Sequence, residues 1–174
     1  MGTSIEKTIY IVSGPCGVGK STVAKELSRN LKHAALISGD DIMFMIEKGY
    51  APPWEEWLSI TWKNILSLTR NFVQHDLNVV IDCVVESELE WFCQHISDLN
   101  IPIKYIVLIA SEDKLIERLN KRGDDHLIDR SLFLLKKLGS SAGNKKYIYD
   151  TTHKQPSEIV HDLMHLSDFY VTEL

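Results

Sequence analysis

The chain has 174 residues, 44% of them hydrophobic and 25% charged, with a formal net charge of −5. That is the size and balance of a single globular domain, residues 1–174, with a sizeable core. The acidic excess excludes a general binder of nucleic acid or of acidic membranes. Cys16, Cys83 and Cys93 are odd in number and lack metal-ligand spacing, which points to a reduced, cytoplasmic protein. No apolar run reaches the length of a membrane span, no signal peptide is expected, and no repeat or low-complexity linker interrupts the chain.

In chain order, the first predicted element is a buried strand over residues 8–13, which hold Thr8, Ile9, Tyr10, Ile11, Val12 and Ser13. Gly14, Pro15, Cys16, Gly17, Val18, Gly19, Lys20 and Ser21 follow, matching G-x-x-x-x-G-K-[ST]. A helix is predicted over 21–31, with Val23, Ala24, Leu27 and Leu31 at helical spacing. Strand, glycine-rich turn and helix form the context in which this pattern cradles polyphosphate. Bare glycine backbone lets several N–H groups approach an anion together, and the helix start adds its unpaired N–H groups and positive dipole end. Lys20 can reach the β- and γ-phosphates, the Ser21 hydroxyl can hold Mg²⁺, and Thr22 lies in the same helical turn. The Cys16 thiol reads as a tolerated small residue of the loop rather than a reactive group.

The loop and its flanks resemble the Walker A motif of P-loop NTPases. Their compact form near the N-terminus is similar to small P-loop kinases such as shikimate kinase, gluconate kinase, chloramphenicol phosphotransferase and polynucleotide-kinase-like proteins. The resemblance implies a 2-3-1-4-5 strand order with a lid, about residues 112–131, between strands four and five.

A second strand is predicted over 34–38, ending at Gly39, Asp40 and Asp41. Ligands of open parallel sheets bind beyond the carboxyl ends of the strands. A kinase needs a carboxylate there to orient the attacking hydroxyl and take its proton. Asp40 is the first candidate, with Asp41 as cap of the next helix. In the resembling kinases an Asp-x-Asp pattern follows this strand. Here Ser38 stands where its first acid would be, a departure from the shikimate and gluconate kinase pattern. A short helix over 42–47 and a break at 49–53 lead into a long helix over 54–74. Trp54, Trp57 and Trp62 cluster on it, where an aromatic stripe reads as core before it reads as an acceptor pocket.

A third strand is predicted over 78–85, and Asp82 within it resembles a Walker B aspartate that completes the Mg²⁺ shell with Ser21. Glu86 is an alternative base or an exposed loop acid. Ser87 to Glu90 matches a capping box. A fourth strand over 104–110 precedes a helix capped at Ser111 and ended by Gly123. Arg118 and Arg122 are spaced i,i+4 on that helix, and Arg130 follows the polar turn. Guanidinium groups so placed can close over a transferring phosphoryl group, and the resembling kinases carry lid arginines here. A helix over 127–138 is expected to stop at Gly139, with a flexible link before a fifth strand over 146–150. The resemblance assigns adenine contacts to the segment from Thr151 to Pro156, including Thr152. Pro156 also suits the first turn of the last helix. His161 and His165 on that helix lack a third ligand and read as surface residues.

Alternating strands and helices predict an α/β fold, a three-layer α/β/α sandwich with a parallel five-stranded sheet and a small helical lid. The residues and the resemblance together imply an ATP- and Mg²⁺-dependent phosphotransferase acting on a small-molecule hydroxyl acceptor. Lys20, Asp40, Arg118 and Arg122 form its catalytic set, and Ser21 and Asp82 its metal ligands. The alternatives are a nucleotide or polynucleotide kinase, against which the lack of a long basic run argues, and an ATP-binding switch with slow or no hydrolysis. The acceptor and the oligomeric state are not specified.

Overall fold

β1 (Ile9–Ser13) is buried at every residue and forms the centre of the molecule. It pairs in parallel with β3 (Asn78–Asp82) on one side and with β4 (Ile103–Ile109) on the other. β2 (Ala34–Ser38) and β5 (Ile148–Asp150) close the edges, giving a five-stranded parallel sheet in the order 2-3-1-4-5. These are coordinates of a computed structural model that describes residues 7–47, 49–50 and 52–172. Of the expected break at 49–53, Ala51 lies outside the described residues.

The sheet is apolar on both faces because strands with helices on each side have no solvent face. Side chains alternate along a strand, so Ile9 and Ile11 enter one core cluster while Tyr10 and Val12 enter the other. The first cluster packs under α3 (Trp54–Gln74), α4 (Leu89–Ile96) and α6 (Ile128–Ser140). The second packs under α1 (Lys20–Asn30), α5 (Glu112–Arg122) and α7 (Pro156–His165). Lys104, the one charged residue of β4, is nonetheless buried. Its ammonium donates to the carbonyls of Leu163 (2.8 Å) and Met164 (2.9 Å), which closes the end of α7. Among the described residues, no helix is long and apolar enough to cross a membrane.

Several boundaries differ from expectation for local reasons. α2 is Gly39–Met43, not 42–47, because Ser38 caps it by accepting the Asp41 N–H at 3.2 Å. Asp41 is therefore not the cap. β3 ends at Asp82, where its last pairs are Val12 and Ser38. Past that point the Val85 N–H turns to the Ser13 hydroxyl (2.9 Å) instead of a strand partner. The capping box at Ser87 does not form, since the Glu88 carboxylate accepts the N–H groups of Glu86 and Ser87. Glu158 instead accepts the Gln155 N–H at 2.8 Å at the start of α7, with Pro156 as first helical residue. Gly139 does not stop α6, which runs through it to Ser140. Residues Ala142–Tyr147 form a 3-10 helix rather than a loose link, and β5 is shortened accordingly.

Gly39 and Gly139 make opposite tests of this packing. A Cβ on Gly39 would stand 2.5 Å from Cys83 Sγ, whereas one on Gly139 would meet nothing within 4 Å. Gly39→Ala is expected to lower unfolding free energy by about 1–3 kcal/mol through overpacking. Gly139→Ala should raise it by about 0.5–1 kcal/mol through helix propensity. Urea unfolding of both variants checks the pair.

Candidate functional site

The loop between β1 and α1 is shaped by what surrounds it. Gly14 has φ +146°, and a Cβ there would run into the Leu108 carbonyl. Gly17 has φ +78° and sits against Leu119, 2.9 Å from where its Cβ would be. Glycine is the residue that accepts both the backbone angles and the close approach. A loop that offers N–H groups to an anion must turn carbonyls away from it, and those carbonyls need donors. Three side chains supply them. Lys20 Nζ donates to Pro15 O at 2.9 Å, Ser131 Oγ to Cys16 O at 2.7 Å, and Arg118 to Val18 O at 3.0 Å. Arg118 thus braces the loop, and so does buried Ser131, which spacing in the sequence did not reveal.

Beyond the strand ends lies a cavity of about 150 Å³ lined by Lys20, Ser21, Asp40, Asp82, Cys83 and Arg122, among others. Asp40 reaches it from the first turn of α2 and Asp82 from the end of β3. Parallel register brings these together, because Ser38 and Val12 both pair with Asp82. Burial is the largest influence on the Asp82 carboxyl and lifts its pKa above the ordinary value. The Ser21 hydroxyl and the Lys20 charge pull the other way, and the Asp40 charge adds to the rise. A carboxylate and a hydroxyl are hard oxygen donors suited to Mg²⁺, which keeps waters and shares its shell with substrate phosphates. Among the described residues no cluster of three or more His, Cys, Asp or Glu could hold a metal alone.

On the other side of the loop a groove of about 310 Å³ runs between α1, α5 and the segment after β5. Val18, Thr22, Arg118, Arg122, Thr151 and Pro156 line it, with Lys121 and Lys154. Arg122 borders both the groove and the cavity, and pairs with Asp124 at 2.7 Å. Thr152 is turned elsewhere: its hydroxyl donates to Asp150 (2.6 Å) and accepts the Ser111 N–H (3.1 Å). Thr151 takes the lining position instead. Lys121 and Lys154 went unmarked in the sequence because a lysine on a charged helix or turn has no distinguishing pattern.

Glu86 is not an exposed loop acid. Its side chain is 9% exposed and ion-paired with Arg130 and with Lys137 (2.6 Å). Burial pushes its carboxyl up, but hydrogen bonds from Lys137 and Arg130, and their charges, outweigh that and leave it below the ordinary value. Arg130 is therefore held at Glu86, with its guanidinium over the rings of Trp54 (5.4 Å) and Phe133 (5.5 Å). The three tryptophans part company. Trp62 is core, edge-on to Phe92 at 5.8 Å, and Trp57 donates to Met43 O at 3.1 Å. Only Trp54 presents a large exposed face. His161 and His165 are exposed and stacked on each other, 4.4 Å apart.

A family model described as an AAA domain matches residues 9–133. No curated protein gives a significant match. Among solved structures, the tunicamycin resistance protein of Deinococcus radiodurans is similar with a TM-score of 0.68, at 15% identity, over 96% of this chain and 99% of that one. A sugar kinase from Janibacter sp. gives 0.67 at 13% identity, over 94% and 95%. A gluconokinase from Sinorhizobium meliloti gives 0.59 at 19% identity, over 92% and 91%. At these identities the likeness is one of fold, and the sheet order with its loop after β1 is that of the P-loop kinases.

Two outcomes follow from this geometry. Asp82→Asn should make the nucleotide-free protein melt at a higher temperature at neutral pH. With a folded pKa raised above 3.8, the ionised carboxylate costs stability above that pKa, and the cost vanishes below 3.8, where both states are protonated. Calorimetry at neutral and acidic pH checks this. Ser131→Ala should leave the Cys16 carbonyl unpaired, at a cost of about 1 kcal/mol or more. A nucleotide titration should read this as weaker affinity, restored by Ser131→Thr.

Proposed function

The chain belongs to the AAA domain family, and from that premise we propose that it is an ATP-dependent phosphotransferase acting on a hydroxyl of a small molecule. The observation that carries this reading is Asp40 in the same cavity as Lys20, Ser21, Asp82 and Arg122. A protein that only bound nucleotide would need the phosphate loop but no second carboxylate beyond it. A kinase needs such a group, to orient the acceptor and take its proton.

In this reading the loop backbone and Lys20 hold the polyphosphate of ATP, and the base lies along the groove toward Thr151 and Pro156. Asp40 accepts the proton of the acceptor hydroxyl as its oxygen bonds to the γ-phosphorus. The bond from that phosphorus to the β–γ bridging oxygen breaks, and ADP leaves. Arg122, at the junction of groove and cavity, stabilises charge on the moving phosphoryl group. Ser21 and Asp82 would hold Mg²⁺, which when bound neutralises phosphate charge. A small acceptor is favoured over a nucleic-acid end because Glu86 already holds Arg130 and Lys137, so these cations form no open basic channel.

ATP consumption measured against a set of hydroxyl compounds tests the proposal. A true acceptor should stimulate turnover, and Asp40→Asn should cut the stimulated rate roughly a hundredfold or more while nucleotide affinity is retained. Tight ATP binding with no acceptor stimulating turnover would instead favour a nucleotide-dependent switch.

A further inference from the structure

We propose that the groove between α3 and the start of α4 binds an uncharged polyhydroxylated small molecule, a sugar or a polyol. The groove has a volume of about 330 Å³, close to the 310 Å³ of the one beside the phosphate loop. It shares no lining residue with the phosphate cavity, so the inference stands apart from the phosphotransferase reading. Helical spacing builds one wall. Glu55, Leu58, Ser59, Trp62 and Lys63 fall at i, i+3, i+4, i+7 and i+8 of α3, on a single face. Ser87, Glu88 and Trp91 form the other wall, just before and within the first turn of α4. The two helices are pinned together below the groove. Trp62 packs edge-on to Phe92 at 5.8 Å, and Arg70 donates to Asp98 and to the His95 carbonyl.

Trp62 lines this groove at 1% exposure, and its Nε1–H has no hydrogen-bond partner. Among the described residues it is the one buried side-chain nitrogen or oxygen left so. Buried polar groups are nearly always paired, and an unmet donor is costly. A ligand oxygen that reached it would recover that cost. The polar groups around it are equally open. The side chains of Glu55, Ser59 and Lys63 have no partner among the described residues. Glu88 Oε2 accepts the N–H groups of Glu86 (2.8 Å) and Ser87 (2.9 Å), but Oε1 has only the Ser87 hydroxyl at 3.4 Å.

Donor and acceptor character selects the ligand. The Trp62 N–H and the Lys63 ammonium call for acceptors, whereas the Glu55 and Glu88 carboxylates call for donors. A carboxylate or phosphate ligand only accepts, and it would face two like charges. An ammonium ligand only donates, so it would leave Trp62 unmet and stand against Lys63. A hydroxyl does both, and several on one carbon skeleton serve both kinds of partner together. Leu58 and the Trp91 ring give the C–H faces of such a skeleton apolar surface to cover.

The test follows the indole N–H signals of the ¹⁵N-labelled full chain by NMR. Four are expected, from Trp54, Trp57, Trp62 and Trp91, and replacing each in turn by phenylalanine assigns them. Should the buried Trp62 not tolerate replacement, the other three variants assign its signal by elimination. The neutral probes are D-glucose, D-mannitol and methyl β-D-glucopyranoside. Gluconate, benzylamine and glycylglycine supply the anionic, cationic and zwitterionic controls. At least one neutral probe should shift the Trp62 signal, while Trp57, whose N–H already donates to Met43 O (3.1 Å), stays in place. The charged controls should bind more weakly. Glu55→Ala should weaken the neutral probe roughly tenfold, as loss of a hydrogen bond to a charged group requires, and a thermal melt verifies that this variant is folded. The proposal is overturned if no neutral probe moves the Trp62 signal up to its solubility limit. A charged control that binds as tightly, or a midpoint unchanged in Glu55→Ala, would also overturn it. So would all four signals moving together, which reports a general effect of the solvent.

Discussion

A backbone loop cannot turn its N–H groups toward a phosphate without turning carbonyls somewhere else, and here that constraint organises the molecule. The outward carbonyls of Pro15, Cys16 and Val18 are taken up by Lys20, Ser131 and Arg118. Only the first of these donors belongs to the loop and its helix. The other two come from α5 and α6, 100 and 115 positions further along the chain than the carbonyls they meet. The loop is therefore held in shape by the elements on either side of the turn at residues 123–127. Arg118 and Ser131 anchor both sides of that turn, and Arg122 stands between them at the meeting of groove and cavity.

The sheet supplies the second half of the geometry. Being buried on both faces, it cannot slip register without moving every side chain into the wrong cluster. The ends of β1, β2 and β3 consequently arrive at one level, which sets the phosphate loop, Asp40 and Asp82 around one cavity. Carboxylates confined in a small, partly dry space oppose one another, and burial already disfavours the charged form of Asp82. The neighbouring Asp40 charge adds to that effect, while the Ser21 hydroxyl and the Lys20 charge oppose it.

Much of this was legible beforehand, and for identifiable reasons. The loop was readable because G-x-x-x-x-G-K-[ST] encodes backbone requirements that only particular residues meet. The strands were readable from their apolar runs, and Gly123 and Ser111 from the local chemistry of helix ends. Local rules failed where two of them competed. Ser38 and Asp41 both suit a cap, and the end of β2 settled it for Ser38. Ser87 and Glu90 suit a capping box, but the Glu88 carboxylate takes the Ser87 N–H that the box would use. Gly139 is tolerated inside α6 because Leu134 and Leu138 are packed in the core and carry the helix through it.

By itself the sequence determined the fold class, the phosphate loop and the acids at the strand ends, since each depends on residues close together in the chain. Only the tertiary structure decided which distant side chains complete the site. It put Ser131 on the loop, turned Thr152 away from the groove in favour of Thr151, and buried Glu86 between Arg130 and Lys137. These contacts join residues up to 115 positions apart. No periodicity or motif spans such distances, and the partner a polar side chain finds is settled only when the helices pack.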